Sequence, residues 1–600
     1  MRFKIVISII SLFIIFLLLR VYYLSVVSND YYEELSKKNS LKIQNIAPTR
    51  GIISDINNTP LAVNELGFKI LLRPHLSKKK LQDALLRVNS CLKNIDIAKL
   101  TKIYDRENSY YNQDDIEIID YVEYKNILSC FFFLNIDEDI SIEHSLKRLY
   151  PYNSLASHVI GYVGKANTED MLKNDAIKVS KKLGKTGIEK YYDEILQGTP
   201  GKKITKVNSL NQEVEIIDNT KPIMNNDITL SIDIRMQEYL DKLFKGLSGA
   251  VVVMDVNDGS ILAAGSYPEY NLNPFVTGIT QREWDKMIQD LDHPFTNKLV
   301  NGKYPPGSVV KMGVGLAFLD SGKIDVNTTF TCTGSFEFGG RKFRCHNIWG
   351  HGVMNLKTAI RSSCDDYFYK GSLKVGIADI SKTLSELGFG KKTGVDLPLE
   401  SVGILPNRVW KQARFKKPWY QGETLITSIG QGDFLATPMQ VALYTAKIAS
   451  GYSIKPHFID SIAGVKQEFE KKDIFTPLQK QHLKYIREAM YEVANNIRGT
   501  AYKPTQGIKI NIAAKTGTAQ VVGISQNEKK RMQEENMEYY TRSHAWINAY
   551  GPYEEPKYAV VVLVEHGMHG GATAGPIAKD IFNKLVDLGY IDKKFIKKQY

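Results

Sequence analysis

The sequence predicts an α+β fold carried outside a membrane on a single N-terminal transmembrane helix. Three observations point there: an almost unbroken apolar run at the start of the chain, a long mixed stretch after it, and a C-terminal part with strand-like runs at both ends and helical material between them. At 600 residues, 43% hydrophobic and 24% charged, the chain exceeds what one core can organise, so two or more domains are expected.

Residues 5 to 19 are apolar apart from two serines, and Val21 to Val27 prolongs the run after Arg20. That reaches the roughly 20 residues a bilayer span needs. Arg20 with Tyr22 and Tyr23 is suited to the interface, and Arg2 and Lys4 keep the first four residues cytoplasmic. Ser28-Asn29-Asp30-Tyr31-Tyr32 lacks the small-x-small pattern of a cleavage site, so 5–27 is expected to remain as an anchor with everything beyond it extracytoplasmic.

From 28 to 228 short strand-like runs (Phe68 to Leu72, Ile116 to Ile119) alternate with lysine-rich helical stretches, a pattern without aligned catalytic residue types. This reads as a non-catalytic module. A second domain, 229–600, opens with a helix over Asp233 to Phe244. Strands follow at Ala250 to Val256 and Ile261 to Gly265, joined by the turn residues Asn257-Asp258-Gly259-Ser260. Ile508 to Ala514, Ala545 to Tyr550 and Tyr558 to Glu565 complete five strands of one antiparallel sheet, and Pro576 to Leu588 is a closing helix. The polar segment 521–543 is expected as a mobile loop between strands.

Lys and Arg outnumber Asp and Glu by 78 to 65, but the excess is dispersed, with short clusters such as Lys78-Lys79-Lys80 and Lys416-Lys417. That argues against nucleic acid and suits a solvated surface beside an anionic membrane or wall polymer.

The chemistry gathers at three places. Tyr304-Pro305-Pro306-Gly307-Ser308-Val309-Val310-Lys311 sets a serine after a Pro-Pro-Gly turn at the head of an apolar helix, with Lys311 one turn away. A lysine in apolar surroundings gives up its charge more readily, so Lys311 can take the serine proton and make Ser308 a nucleophile. Alone the pair means little, since Ser77 with Lys80 and Ser90 with Lys93 share the spacing. Order changes this: Ser362-Ser363-Cys364-Asp365 comes about 55 residues on, and Lys515-Thr516-Gly517-Thr518 about 150 beyond that. Ser363 can relay a proton, Lys515 supplies positive charge for a substrate carboxylate, and Gly517 lets a substrate backbone lie against the strand. The N–H groups of Ser308 and Thr518 form an oxyanion hole.

This ordered set resembles that of penicillin-binding proteins and serine β-lactamases. The likeness to class B penicillin-binding proteins covers nearly the whole chain. Arg50-Gly51-Ile52-Ile53-Ser54-Asp55, Gly187-Ile188-Glu189-Lys190-Tyr191, Leu196 to Gly201, Ser428-Ile429-Gly430-Gln431-Gly432, Thr437-Pro438-Met439-Gln440 and His544-Ala545-Trp546 are similar to family landmarks. Gly350-His351-Gly352 and the aspartate at 365, where the division branch has asparagine, resemble the penicillin-binding protein 2 branch that serves elongation. Asp365 leaves open whether it accepts from Lys311 or meets the substrate.

The resemblance implies a pedestal domain over 28–228 and a β-lactamase-like transpeptidase domain over 229–600. It also implies a D-Ala-D-Ala transpeptidase that cross-links peptidoglycan stem peptides through a Ser308 acyl-enzyme and is acylated by β-lactams. A RodA-type glycosyltransferase and the elongation complex are implied as partners. Three other functions share the motif set: a β-lactam sensor, a β-lactamase-like hydrolase, and a structural member of the complex with low activity. The first needs several spans or a cytoplasmic signalling domain, whereas about four residues precede one span here, and the second needs a water-activating group, which the sequence does not identify.

Cys332, Cys345, His351 and Cys364 fall at intervals of 13, 6 and 13. Cys3His is a closed tetrahedral zinc set, though this is not a zinc-finger spacing. A Cys332 to Cys345 disulfide with Cys364 as a small buried hydrophobe is the alternative, and His346 is an alternative nitrogen ligand. The resemblance implies a metal here in part, since some relatives in this branch carry one in the equivalent loop. Zinc here would be structural, holding Ser363 near Lys311, and none is required for catalysis.

Overall fold

The computed structural model describes residues 2–92, 95–208, 213–223, 226–523 and 533–598. Helix α1 (Arg2–Tyr22) continues through a π turn to Val27. The 25 residues Phe3–Val27 are long and apolar enough to cross a membrane, and no part of this helix packs against the rest of the protein. At 1.5 Å per residue α1 is about 32 Å long, close to the thickness of a hydrocarbon core. The Arg20 guanidinium lies 5.7 Å from the Tyr23 ring at the helix end, as an interfacial pair does.

The pedestal is built on one 13-residue strand, Pro60–Leu72, flanked antiparallel by Ile116–Glu123 and Ile140–Leu149. Leu72 pairs with Ile116, so the two runs legible in the sequence are neighbours. Helices Lys78–Cys91 and Ile97–Glu107 bury Leu81, Leu85, Val88, Leu100 and Tyr104 against this sheet. A disulfide joins Cys91 to Cys130 across the same small core. No local signal announces this pairing, because 39 residues separate the two cysteines.

Glu189 is fully buried at the base of the pedestal. It accepts from Arg50 Nε and Arg148 Nε, each at 2.7 Å, and from the Tyr150 hydroxyl at 3.2 Å. Burial pushes the Glu189 carboxyl up, but the Arg148 and Arg50 charges outweigh it and hold the group below its ordinary value. Glu189→Ala leaves the buried Arg148 guanidinium without its carboxylate, while Arg50 keeps Asp193 at 2.7 Å. A destabilisation of about 3–5 kcal/mol is expected, read as a fall of about 3–5 °C in the unfolding midpoint, with an unchanged midpoint as the contrary result.

The catalytic-side domain holds a five-stranded antiparallel sheet. Its strands are β1 (Gly249–Asp255), β2 (Ile261–Tyr267), β3 (Ala513–Ala519), β4 (His544–Gly551) and β5 (Tyr558–Val564), in the order β2-β1-β5-β4-β3. β1 and β5 read as continuous apolar runs because both faces of the sheet are covered. Between β2 and β3 lie α2 (Lys311–Asp320), α3 (Asp365–Val375), α4 (Arg408–Phe415), α5 (Gln421–Ser428), α6 (Pro438–Ser450) and α7 (Pro477–Asn495). α8 (Gly570–Asp587) closes the other face with the expected helix Ile234–Leu243, which Asp233 caps.

Two boundaries depart from the sequence reading. The third strand is Ala513–Ala519 rather than 508–514: Ile508, Ile510 and Ile512 are buried, but Ile510 bridges to Ile596 instead of joining the sheet. α8 begins at Gly570, six residues before Pro576, which lies inside it. Of the segment 521–543, residues 524–532 lie outside the described residues, and Glu534–Asn536 and Tyr539–Thr541 form short 3-10 turns. The modules share a sheet: Ile459–Ile462 pairs with Ile228–Leu230, which runs parallel to Ile53–Ser54 of the pedestal.

Candidate functional site

Ser308 sits in a 3-10 turn, Gly307–Val310, that leads into α2. The turn is tied down on every side. Tyr304 and Ala436 exchange both backbone hydrogen bonds at 2.9 Å, Trp546 Nε1 donates to Pro305 O at 3.2 Å, and Gly307 N donates to Gly430 O at 2.8 Å. Gly307 and Gly430 both have positive φ, and a Cβ on Gly430 would lie 2.2 Å from Gly307 O, so the two backbones meet where no side chain fits.

Lys311 is completely buried. Its Nζ donates to Ser363 O at 2.9 Å, Asp365 Oδ1 at 2.7 Å and Ser363 Oγ at 3.3 Å. Ser363 has φ +53°, a left-handed conformation that costs a non-glycine residue on the order of 1–2 kcal/mol, and it turns both its carbonyl and its hydroxyl to Lys311. Lys515 Nζ approaches the same hydroxyl from β3 at 2.8 Å. Ser363 Oγ therefore lies between two lysines. Burial first, and the Lys311 charge second, push Lys515 well below an ordinary lysine's value.

The question left open for Asp365 has a double answer: one carboxylate oxygen accepts from Lys311 and the other from the His346 backbone N–H at 3.0 Å, while the residue also lines the cleft. Burial raises its pKa, but Lys311 and then His346 more than offset this, and it is held below the usual carboxylate range.

β3 is the edge strand, so its outward N–H and C=O groups face an open cleft of about 880 Å³. Thr518 O accepts from Gln431 Nε2 at 3.1 Å on that side. A strand residue points its N–H and C=O the same way, so the Thr518 N–H also faces outward, toward the nucleophile turn. Ser308 N lies in a first helical turn, where backbone donors have no intrahelical acceptor. Thr516 Oγ1 pairs with Thr500 Oγ1 at 2.7 Å, and Ser308, Ser363, Asp365, Thr516, Gly517 and Thr518 all line the cleft.

Gly517 lines the cleft and also serves the packing of the nucleophile turn. A Cβ there would meet Val309 Cγ1 at 2.9 Å and Pro306 O at 3.3 Å, so the glycine admits the nucleophile turn against the strand. The decoy pair is also explained, since Ser77 caps a pedestal helix by accepting from Lys80 N.

Sequence reasoning assigned no role to Gln431 or Trp546, although both fall in recognised landmarks. It missed Lys298, and it named Tyr304 and Glu565 only as parts of the turn and of a strand, with no role. Glu565 accepts from Lys298 Nζ and from the Tyr304 hydroxyl, each at 2.6 Å, beneath the nucleophile turn. Only long-range pairing joins these residues, and no spacing signals it.

Cys332, Cys345, His351 and Cys364 converge beside Asp365. Their ligand atoms lie within 4.8 Å of one another, and all three thiols are free and buried. The Cys332 to Cys345 bridge is therefore not formed. His351 Nδ1 is 3.5 Å from Cys332 Sγ and 3.6 Å from Cys345 Sγ. A tetrahedral zinc with ordinary Zn–S and Zn–N lengths places such atoms about 3.6 Å apart, so the set fits that ion. His346 faces the other side of Cys345, toward Asp365.

Comparison with known proteins agrees with this geometry. The family model described as the penicillin binding protein transpeptidase domain matches residues 249–585, and that of the penicillin-binding protein dimerisation domain matches 45–230. The peptidoglycan D,D-transpeptidase MrdA of Salmonella typhimurium is 34% identical over 588 residues, covering 95% of this chain and 93% of that protein. PBP2 of Helicobacter pylori, solved in complex with MreC, superposes with a TM-score of 0.85 at 46% identity, covering 92% of this chain and 99% of that one. A peptidoglycan synthase complex that coordinates polymerization and crosslinking contains a chain 25% identical, with a TM-score of 0.70 and 97% of each chain covered. The chain belongs to the penicillin-binding protein family, with a dimerisation domain followed by a transpeptidase domain.

Proposed function

We infer that this protein is a membrane-anchored peptidoglycan D,D-transpeptidase of the elongation branch, acting through a Ser308 acyl-enzyme. The observation that carries it is the meeting of three distant segments at one cleft: the Ser308 turn, the buried Lys311–Ser363–Lys515 chain, and the open edge of β3. The donor stem lies along that edge with its terminal carboxylate toward Lys515, Thr516 and Thr518. Lys311 takes the Ser308 proton as Oγ attacks the carbonyl of the penultimate D-alanine, and Asp365 holds the lysine nitrogen in place. The N–H groups of Ser308 and Thr518 receive the oxyanion. Ser363 passes the proton to the departing D-alanine nitrogen, and the reverse relay accepts the proton of the incoming amine.

The test is transfer itself. Full-length protein given D-Ala-D-Ala-terminated strands is expected to release D-alanine and join stems in equal amounts; release into water without joining would favour the hydrolase reading.

Cys332, Cys345, His351 and Cys364 would hold a zinc ion. A closed set of four protein ligands supplies no open coordination position, so the ion's contribution is to pin the loop that delivers Cys364 and its neighbours Ser363 and Asp365 to Lys311. Elemental analysis is expected to find about one zinc per chain, and stripping it should lower the thermal midpoint as well as the acylation rate. A metal-free protein of undiminished midpoint would reject the site.

The apolar helix before the pedestal supports a single-pass anchor with the catalytic domain extracytoplasmic. Similarity to proteins solved with MreC and within a synthase complex supports a place in the elongation machinery. A RodA-type glycosyltransferase alongside the anchor and pedestal is part of the same reading.

A further inference from the structure

The stretch from Arg408 to Tyr420 has no part in the chemistry above, yet its composition is unlike that of an ordinary solvated face. It carries Arg408, Lys411, Arg414, Lys416 and Lys417, and no acidic residue occurs between Glu400 and Glu423. Among the described residues, an acidic partner is found for Lys411 alone of these five: it is buried, paired with Glu423, and 4.5 Å from the Tyr420 ring. The other four cations are exposed. Arg408 occupies the first position of α4, where the helix dipole favours an acid, so helix stability does not account for it. Beside the cations, Val409 is 79% exposed, Tyr420 59% and Phe415 46%, which places aromatic and aliphatic surface among the charges.

This ledge is held rigidly and leads into the catalytic cleft. Glu423 accepts from Tyr420 N at 2.9 Å, and Trp419 Nε1 donates to Thr424 Oγ1 at 2.8 Å, so the ledge is fastened to the first turn of α5. α5 spans about 12 Å, and at its far end Ile426, Ile429 and Gln431 line the cleft beside the Gly430–Gly307 contact. Leu425 packs with Phe343 of the hairpin Ser335–Arg344, which also lines the cleft.

We propose that the ledge Arg408–Tyr420 is the docking surface for the uncrosslinked glycan strand whose stems enter the cleft. The proposal rests on the transpeptidase reading and names how its polymeric substrate is held. Every unreacted stem ends in a carboxylate, so a strand is a row of anions spaced along a sugar chain. Cations interleaved with aromatic faces match that chemistry: the guanidinium and ammonium groups take carboxylates, and Phe415 and Tyr420 cover the apolar faces of sugar rings. About 12 Å is also within the reach of a short extended peptide, at roughly 3.3 Å per residue. An anionic lipid surface shares the charge, but continuity with the cleft favours the strand.

The test uses full-length protein in nanodiscs of zwitterionic lipid and the triple variant Arg408→Glu, Arg414→Glu, Lys417→Glu. The readouts are acylation by a fluorescent penicillin, cross-linking of polymeric strands, and anisotropy of a labelled uncrosslinked strand. The variant is expected to acylate with penicillin at the parent rate, while its KM for strands rises at least tenfold with kcat little changed. The charge-preserving variant Arg408→Lys, Arg414→Lys, Lys417→Arg should restore strand binding, and added salt should bring the parent toward the triple variant. Unchanged strand binding in the charge-reversed protein overturns the proposal. So does a matching loss of penicillin acylation, or a defect confined to nanodiscs of anionic lipid, which would assign the ledge to the membrane. Should the parent bind strands through the ledge but never join stems, the transpeptidase reading fails while the docking surface stands.

Discussion

Ser308→Ala is expected to abolish covalent capture of β-lactams and all stem transfer, with the unfolding midpoint within about 2 °C of the parent. The turn that presents Ser308 is held by Tyr304, Pro305 and Gly307 through backbone and ring contacts, none of which uses the serine hydroxyl. Deleting one partly exposed hydroxyl costs well under about 1 kcal/mol when no buried partner loses its bond. Chemistry suffers without compensation, because the acyl-enzyme has no other oxygen to form on. Intact-mass measurement after exposure to a penicillin reads the first effect and a thermal melt the second. A variant that still gains the mass of the drug would move the nucleophile elsewhere.

Lys311→Met is expected to lower the acylation rate by about 10³- to 10⁴-fold, the upper range for loss of a positioned proton acceptor. Methionine approximates the stem of the lysine, so packing against Phe368, whose ring lies 5.3 Å from the Lys311 nitrogen, is largely kept. The electrostatics are not kept. Asp365 loses its principal counter-charge, and Lys515 loses the second of the two influences that depress it. The sign follows: Asp365 titrates higher, and its contribution to stability, present above its unfolded pKa, is lost at a higher pH as the solution is acidified. Stopped-flow acylation at pH 7 and melts at pH 7 and at about pH 3 measure both; an intact acylation rate would exclude Lys311 as the proton acceptor.

Much of this architecture was legible because local signals and the final fold agree. The Asp233 cap, the Asn257 to Ser260 turn and the apolar runs of β1 and β5 all say the same thing locally and globally. The third strand was displaced because Ile508, Ile510 and Ile512 look like a strand to any reading of apolarity, and burial under the C-terminal segment explains them equally well. At the site, the order of Ser308, Ser363 and Lys515 was readable, since each residue type carries its own chemistry. The Lys298–Glu565–Tyr304 support was not, because its members are 261 and 267 residues from Glu565 and meet only when β5 closes the sheet. Gly517 was readable as a glycine that matters, but its close approach to Val309 and Pro306 was not, because those residues are neighbours only in space.

The sheet that joins Ile53–Ser54, Ile228–Leu230 and Ile459–Ile462 makes the two modules one cooperative unit. A fragment beginning at residue 229 would lose Ile53–Ser54 and split the strand Ile228–Leu230, so that its remnant beside Ile459–Ile462, the strand between α6 and α7, would be left with a bare hydrogen-bonding edge. Such an edge recruits other chains. The catalytic half is thus not a free-standing enzyme carried on a spacer: part of its own backbone order is supplied by residues that precede it in the chain, and the pedestal contributes to folding of the catalytic domain before it can contribute to placement.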